Sequence, residues 1–464
     1  MRRTERVALG VLALVLITSM LLSACVPAAA PAPAQAPAPA AATKAPEAPK
    51  VAAPSDKPVT LTLWGGFPEM EPFYKYVGEA YTKEHPNVKV EVLTHPLREF
   101  EQKLSATIPS DTSADIIEIS MYANQKFIEA GLIPELPANV KAFMEEKGRY
   151  SDFLQNNNTY KGKKYGLPLF VGRTALYWNK DMFKEAGLDG PPKTQKEAAE
   201  FAKKLAKADA AGMLTRAGHS LRLSGQGSGV AEKFWFILWP LGGTIVKDAG
   251  NGKYCAGYNN DAGKQALKFY VDAVHVDKYD SHALKHDAEA FELGLAAMLL
   301  RESWVIGDIA KKAPNLNYDT APVPSAAQWG RITNPVNLYV TRAAKNPEVA
   351  WDFAQFMMKP EHMNWLLENV GWLPAREDID LSAVLAKLPQ FKAFVMRDPN
   401  YKEYGYPVIA PFDEIMTKLA ERLVTAYLDK SLANNPDGIA KTIEAAANET
   451  NEILKKAGLY AECK

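Results

Sequence analysis

Nine tryptophans stand in this chain, and four of them fall at element ends or beside glycine, where packing has least use for an indole. Trp64 closes an alternating run just before Gly65-Gly66, Trp304 follows Arg301-Glu302-Ser303 in "GLAAMLLRESWVIGDIAKK", Trp372 follows Gly371, and Trp235 is the fourth. An indole has flat apolar faces and one N–H at its edge. It therefore suits a solute that offers apolar C–H faces with hydroxyls around the rim. Trp351 and Trp365 ("VAWDFAQFM", "MNWLLENV") lie among apolar residues at helical spacing, and Trp178 alternates within a strand, so these three read as core.

Covalent chemistry finds less support. The chain has no G-x-S-x-G elbow, no S-x-x-K, no H-E-x-x-H and no Walker A sequence. Carboxylates such as Glu69, Glu71, Glu302, Asp413 and Glu414 would need to lie ~5–10 Å apart in pairs to cleave a glycoside. Surface charge or helix capping suits each of them better. His275, His282 and His286 have no cysteine nearby and read as a solvated loop entering a helix, so no metal site and no cofactor is expected. "GQGSG" (225–229) lacks the lysine of a phosphate loop and reads as a flexible connector near a cleft.

The elements that would position these residues alternate. "VTLTLWGGF" is a strand and turn, Phe73, Tyr76, Val77, Ala80 and Tyr81 follow at helical spacing, "VKVEVL" is a strand again, and "ADIIEIS" is another before a helical stretch. Helices are expected at 195–208 and 260–275, strands at 297–301, 318–323 and 336–341, and mostly helix over the last hundred residues. Such alternation implies parallel sheets covered by helices, with ligands held beyond the carboxyl ends of the strands. Tyr122 and Asn124 follow the third strand, and Phe170 to Arg173 follow "YGLPLF", so these join the indoles as candidates. Asn337 and Arg376 would add hydrogen bonds.

Composition narrows the setting. With 464 residues, 47% of them hydrophobic, the chain is long enough for two lobes, and 54 basic residues balance 54 acidic ones, so no field favours nucleic acid. Three arginines precede an apolar run from Val7 to Leu22, which is too short and one-sided for a membrane span and reads as an export signal. Leu22-Ser23-Ala24-Cys25 resembles the bacterial lipobox, which implies cleavage after residue 24 and a lipid on Cys25. The Ala/Pro repeats of residues 26–57 have nothing to bury and read as an extended tether. Cys255 and Cys463 remain as an even pair in an oxidising compartment, either bonded to each other or two free thiols.

From about residue 59 to 450 the chain resembles the extracellular solute-binding proteins of ABC transporters, family 1, the group that includes maltose-binding protein. "ADIIEISMYANQKFIEAGLIPEL", "YGLPLFVGRTALYWNKDMFKEAGLDGPPKT", "AFELGLAAMLLRESW", "NPEVAWDFAQFMMKPEH" and "GWLPARED" carry the likeness, in the family's order. It implies a two-lobed α/β periplasmic-binding-protein fold (type II-like), with hinged lobes around a central cleft. By position, residues 58–172 plus 316–357 would form the first lobe, and 173–315 plus 358–464 the second. The family's serine-tryptophan lands on Trp304, and its Gly-x-Leu-Pro loop brings Trp372 and Arg376 toward the cleft. The resemblance further implies a carbohydrate ligand, ABC permease subunits as partners, membrane contact through the lipid alone, a monomer, and no enzyme activity. A polyol or glycerophosphodiester is the alternative ligand. The chain departs from the family at Trp178, Gln195 and around Met416.

Overall fold

The computed structural model describes residues 57–225, 227–285 and 287–463. The expected signal, the lipidated Cys25 and the tether as far as residue 56 lie outside them, as does His286. The alternation of "VTLTLWG" forms β1 (Val59–Gly65), with Leu61 and Leu63 buried and Thr60 and Thr62 turned away. β2 (Val88–Thr94) and β3 (Ile116–Ser120) flank it in parallel, Val59 facing Val88 and Leu63 facing Ile116. Each strand feeds a helix: α1 (Glu71–Glu84), α2 (Leu97–Thr107) and α3 (Met121–Glu129). The three strand ends and helix starts converge on one edge.

Two long strands carry the sheet onward. β4 (Leu167–Asn179) pairs antiparallel with the later β7 (Gly330–Val340), and β7 pairs with β3 on its other edge. The far end of β4 is flanked by β5 (Met298–Glu302) and β6 (Tyr318–Ala321), both antiparallel to it. The order across the sheet is β5-β4-β7-β3-β1-β2. The sequence pattern predicts only 336–341 of β7. Arg331, Thr333, Asn334 and Pro335 break the apolar run in its first half, yet that half is paired with β4.

Two large cores result. One gathers Leu61, Phe73 and Val77 with Leu169 and Trp351; the other gathers Met298 with the helices α4 (Gly229–Leu238), α7 (Phe412–Leu428) and α8 (Pro436–Lys456). Between these in the chain lie α5 (Trp304–Lys312) and α6 (Pro360–Asn369). The residues after 357 divide between the two cores. Met363, Leu366, Phe391 and Phe394 share the first core, and Trp365 of α6 stacks on Tyr76 of α1 at 4.4 Å. The helical period of "MNWLLENV" shows that these residues are buried but not against what.

Cys255 and Cys463 are disulfide-bonded, with Cα atoms 5.9 Å apart and 208 residues of sequence separation. Next to the bond, the Tyr254 N–H donates to the Leu459 carbonyl, so the chain end is also held by backbone pairing. A cross-link of this reach constrains the unfolded chain and is typically worth about 2–4 kcal/mol. Replacing both cysteines by alanine is expected to lower the free energy of unfolding in urea by that amount. A change below about 0.5 kcal/mol would mean that the backbone pairing alone secures the end.

Candidate functional site

A cavity of about 580 Å³ opens where the strand ends converge. Gly66, Phe67 and Glu69 after β1, Arg98 at the start of α2, and Ser120 and Tyr122 after β3 form one wall. Arg222, Ser228, Gly229, Glu232 and Lys233 face them, joined by Arg301, Glu302 and Trp304 from the β5-to-α5 corner. Gly172 and Asn334 of the crossing strands lie between, with Trp372 and Tyr406. Gly229, Glu232 and Lys233 sit at helical i, i+3 and i+4, so one face of α4 supplies all three.

Two glycines permit close approaches here, and one of them keeps the cavity open. A Cβ on Gly65 would stand 2.7 Å from a carboxyl oxygen of Glu118, which is why the turn after β1 can lie against that fully buried side chain. A Cβ on Gly172 would stand 3.4 Å from the Trp372 ring and 3.5 Å from Glu302, so a side chain there would fill the gap between indole and carboxylate.

The floor is an ion network. The Lys233 ammonium, 5% exposed, donates to Glu302 at 2.7 Å and also to Glu232. Arg301 reaches the other Glu302 oxygen at 2.7 Å and Asp287 at 2.9 Å; Arg222 reaches Asp287 at 3.2 Å. Burial alone would push the Glu302 carboxyl up, but Arg301 and Lys233 outweigh it and hold the group at about 2. The Tyr406 hydroxyl donates to Glu232. Glu69 differs. Burial raises its pKa, only partly offset by hydrogen bonds from backbone and from the Trp372 indole N–H, the latter at 3.2 Å.

Arg98 crosses from one wall to the other. It starts on α2, is paired with Glu101 at 2.5 Å, donates to the Ser228 hydroxyl at 2.6 Å and lies 3.6 Å from Asp413 of α7. Gly227, at φ +66°, lets the backbone pass close to the guanidinium.

Of the sequence candidates, Trp304, Trp372 and Tyr122 line the cavity. Trp304 is half-buried, with the Arg301 guanidinium 5.0 Å from its ring centre. The others do not line it. Trp64 points to the opposite face of β1 from Leu63, where Lys103 lies 3.9 Å over its ring; strand alternation turns it away from the cavity. Phe170 is fully buried one layer back, 4.8 Å from Trp372. Trp235 is 2% exposed and packs on Tyr404, Tyr406 and Phe412. Asn124 and Asn337 are fully buried, and Asn337 donates to the Tyr339 hydroxyl. Arg173 pairs with Glu403 and Glu377, while Arg376 pairs with Asp378 and the Met358 carbonyl, away from the cavity.

The sequence reading missed Arg98, Arg222, Glu232, Lys233, Arg301 and Tyr406 as parts of the site. One signal was available. Glu232-Lys233 is a charged pair inside the otherwise apolar "GVAEKFWFIL", and a helix hydrophobic on most sides that keeps two charges buries them for a reason.

Residues 64–364 match the family of bacterial extracellular solute-binding proteins, and the chain belongs to it. A Brucella abortus (strain 2308) protein that carries only the general name of binding protein is 26% identical over 396 residues, covering 83% of this chain and 90% of the relative. The galactooligosaccharide-binding protein of Bacillus subtilis (strain 168) is 24% identical over 403 residues, covering 83% and 89%. Among solved structures, an ABC transporter solute-binding protein from Thermotoga lettingae TMO, bound with alpha-D-tagatose, superposes with a TM-score of 0.72 at 22% identity, covering 85% of this chain and 99% of that one. That likeness fixes the fold as the two-lobed α/β fold expected from the sequence.

Proposed function

We propose that this protein is the sugar receptor of an ABC importer, held outside the cell by a lipid on Cys25 and acting as a monomer that hands its ligand to permease subunits. The observation that carries the reading is a cavity between facing walls that presents Trp304 and Trp372 beside a rim of locked polar groups. An indole that removes roughly 100 Å² of apolar surface from water contributes about 2.5 kcal/mol before ordering costs. Such a platform at Trp304, with Trp372 buried in the wall beside it and several hydrogen bonds, brings binding toward the micromolar range, about −8 kcal/mol. We place the hinge where β4 and β7 pass from one half to the other, with residues 360–395 moving as part of the first lobe. Arg98 then bridges the lobes, and a ligand touching both walls favours the closed form by its differential contacts.

A glycosidase is the competing reading, because Glu69 and Glu302 both face the cavity and their carboxyls are pushed in opposite directions. Glu302 argues against it. One of its oxygens is occupied by Lys233 and the other by Arg301, which leaves a structural anion where a nucleophile would be required.

A thermal-shift screen against mono- and oligosaccharides tests the proposal. Ligand at a hundred times its Kd stabilises by about 2.7 kcal/mol, enough to raise Tm by a few degrees. No rise with any sugar, or turnover of a glycoside that Glu302→Gln abolishes, would overturn it.

A further inference from the structure

Glu69 is a half-buried carboxylate at the cavity that the ion network leaves out. Each base of the lining already holds an acid: Lys233 holds Glu302, Arg301 holds Glu302 and Asp287, Arg222 holds Asp287, and Arg98 holds Glu101. Among the described residues no base forms an ion pair with Glu69, whose side-chain partner is the neutral indole N–H of Trp372. Asp308, one turn into α5, adds a second negative charge nearby, outweighing the distant pull of Arg301. The corner is also aromatic. Phe67 meets the Trp372 ring edge-on with centroids 5.7 Å apart, and Trp304 lines the same cavity.

A carboxylate taken largely out of water without a counter-charge is costly, and a ligand ammonium removes that cost. A sugar hydroxyl gives the carboxylate a hydrogen bond but brings no opposite charge, whereas an ammonium brings both. A ligand carboxylate or phosphate adds like charge. Indole faces favour a cation further.

We infer that the ligand carries a protonated amine seated against Glu69 beside Trp372, which makes it an amino sugar or an aminated oligosaccharide. The inference rests on the sugar-receptor reading above and narrows it. It also argues against a phosphodiester as the alternative solute, since every base that would meet a phosphate is already committed to a protein acid.

Titration calorimetry on the full chain with matched gluco- and galacto-configured series decides it, each series holding the neutral sugar, its 2-amino, its N-acetylamino and its uronic acid form, as mono- and disaccharides. The amine is expected to bind at least tenfold more tightly than its neutral parent and its N-acetyl form, with the uronic acid weakest. Glu69→Gln is expected to reduce the preference for amine over neutral parent to less than threefold. The wild-type ranking decides alone if the variant does not fold. Neutral sugars that equal or exceed the amines, or an amine preference that survives Glu69→Gln, would overturn this inference and leave the receptor reading standing. Failure of every member to bind would remove both.

Discussion

Replacing Lys233 by methionine is expected to lower the free energy of unfolding by about 3–5 kcal/mol. Methionine fills nearly the same volume, so the loss reports charge. The ammonium is 5% exposed and is shared by the buried Glu302 and the half-buried Glu232. Without it Glu302 keeps only Arg301, whose charge Asp287 already shares, and Glu232 keeps the Tyr406 hydroxyl. Combining Lys233→Met with Glu302→Gln should restore part of the loss, because the second change removes the stranded anion. Urea unfolding of the two single variants and the double gives the coupling directly. A loss below about 1 kcal/mol, or a double variant no better than the first single, would show that the network is solvated and that the floor of the cavity is not rigid. Glu302 also sets a pH dependence. Its folded pKa is depressed, so its contribution is present above the unfolded value near 4.3 and is lost as pH falls toward about 2.

The fold was legible wherever one physical signal dominated. Alternation in "VTLTLWG" and the helical stripe of Phe73 and Val77 gave β1 and α1, because a sheet face or helix stripe is written directly into the period. The site was legible in part. Trp304 was visible because an indole at a strand end is out of place in a core, Trp372 because it follows Gly371, and Tyr122 because it follows a strand. The same rule misplaced Trp64, since the side chain next to the end of β1 points away from the cavity and only the register decides which face it takes. Arg173, Asn124 and Asn337 were misplaced for another reason. Arg173 is paired with Glu403 far off in the chain, Asn337 donates to Tyr339 two residues on, and Asn124 is fully buried; a sequence shows neither that a donor is already engaged nor that a polar side chain is sealed from the cavity. The ion network was missed for the converse reason. Arg301 and Asp287 look like ordinary surface charges until the fold pairs them beside Glu302, and only Lys233, set in an apolar helix, marked the network in the sequence.

Trp304→Ala and Trp372→Ala should both weaken ligand binding at least tenfold, yet they should part company in stability. Trp304 supplies up to roughly 100 Å² of apolar platform, about 2.5 kcal/mol, while Trp372, buried in the wall, acts by holding Glu69 and the wall in place; every 1.4 kcal/mol is tenfold in affinity. Trp304 is half-buried and faces the cavity beside the Arg301 guanidinium, so its loss should cost about 1 kcal/mol of folding free energy or less. Trp372 is 5% exposed, packed on Phe170 and Phe67 and bonded to Glu69, and its truncation leaves a void that typically costs about 3–5 kcal/mol. Trp64→Ala is the control that separates this geometry from a general need for tryptophan, because Trp64 lies under Lys103 on the far side of β1. Its affinity should match that of the unaltered protein. Calorimetric titration of the three variants, each checked by its melting curve, distinguishes the cases. If Trp64→Ala weakens binding as much as Trp304→Ala, or if Trp304→Ala unfolds the protein, then the indole at the end of β5 serves the core after all, and the cavity holds its ligand by the ion-paired rim alone.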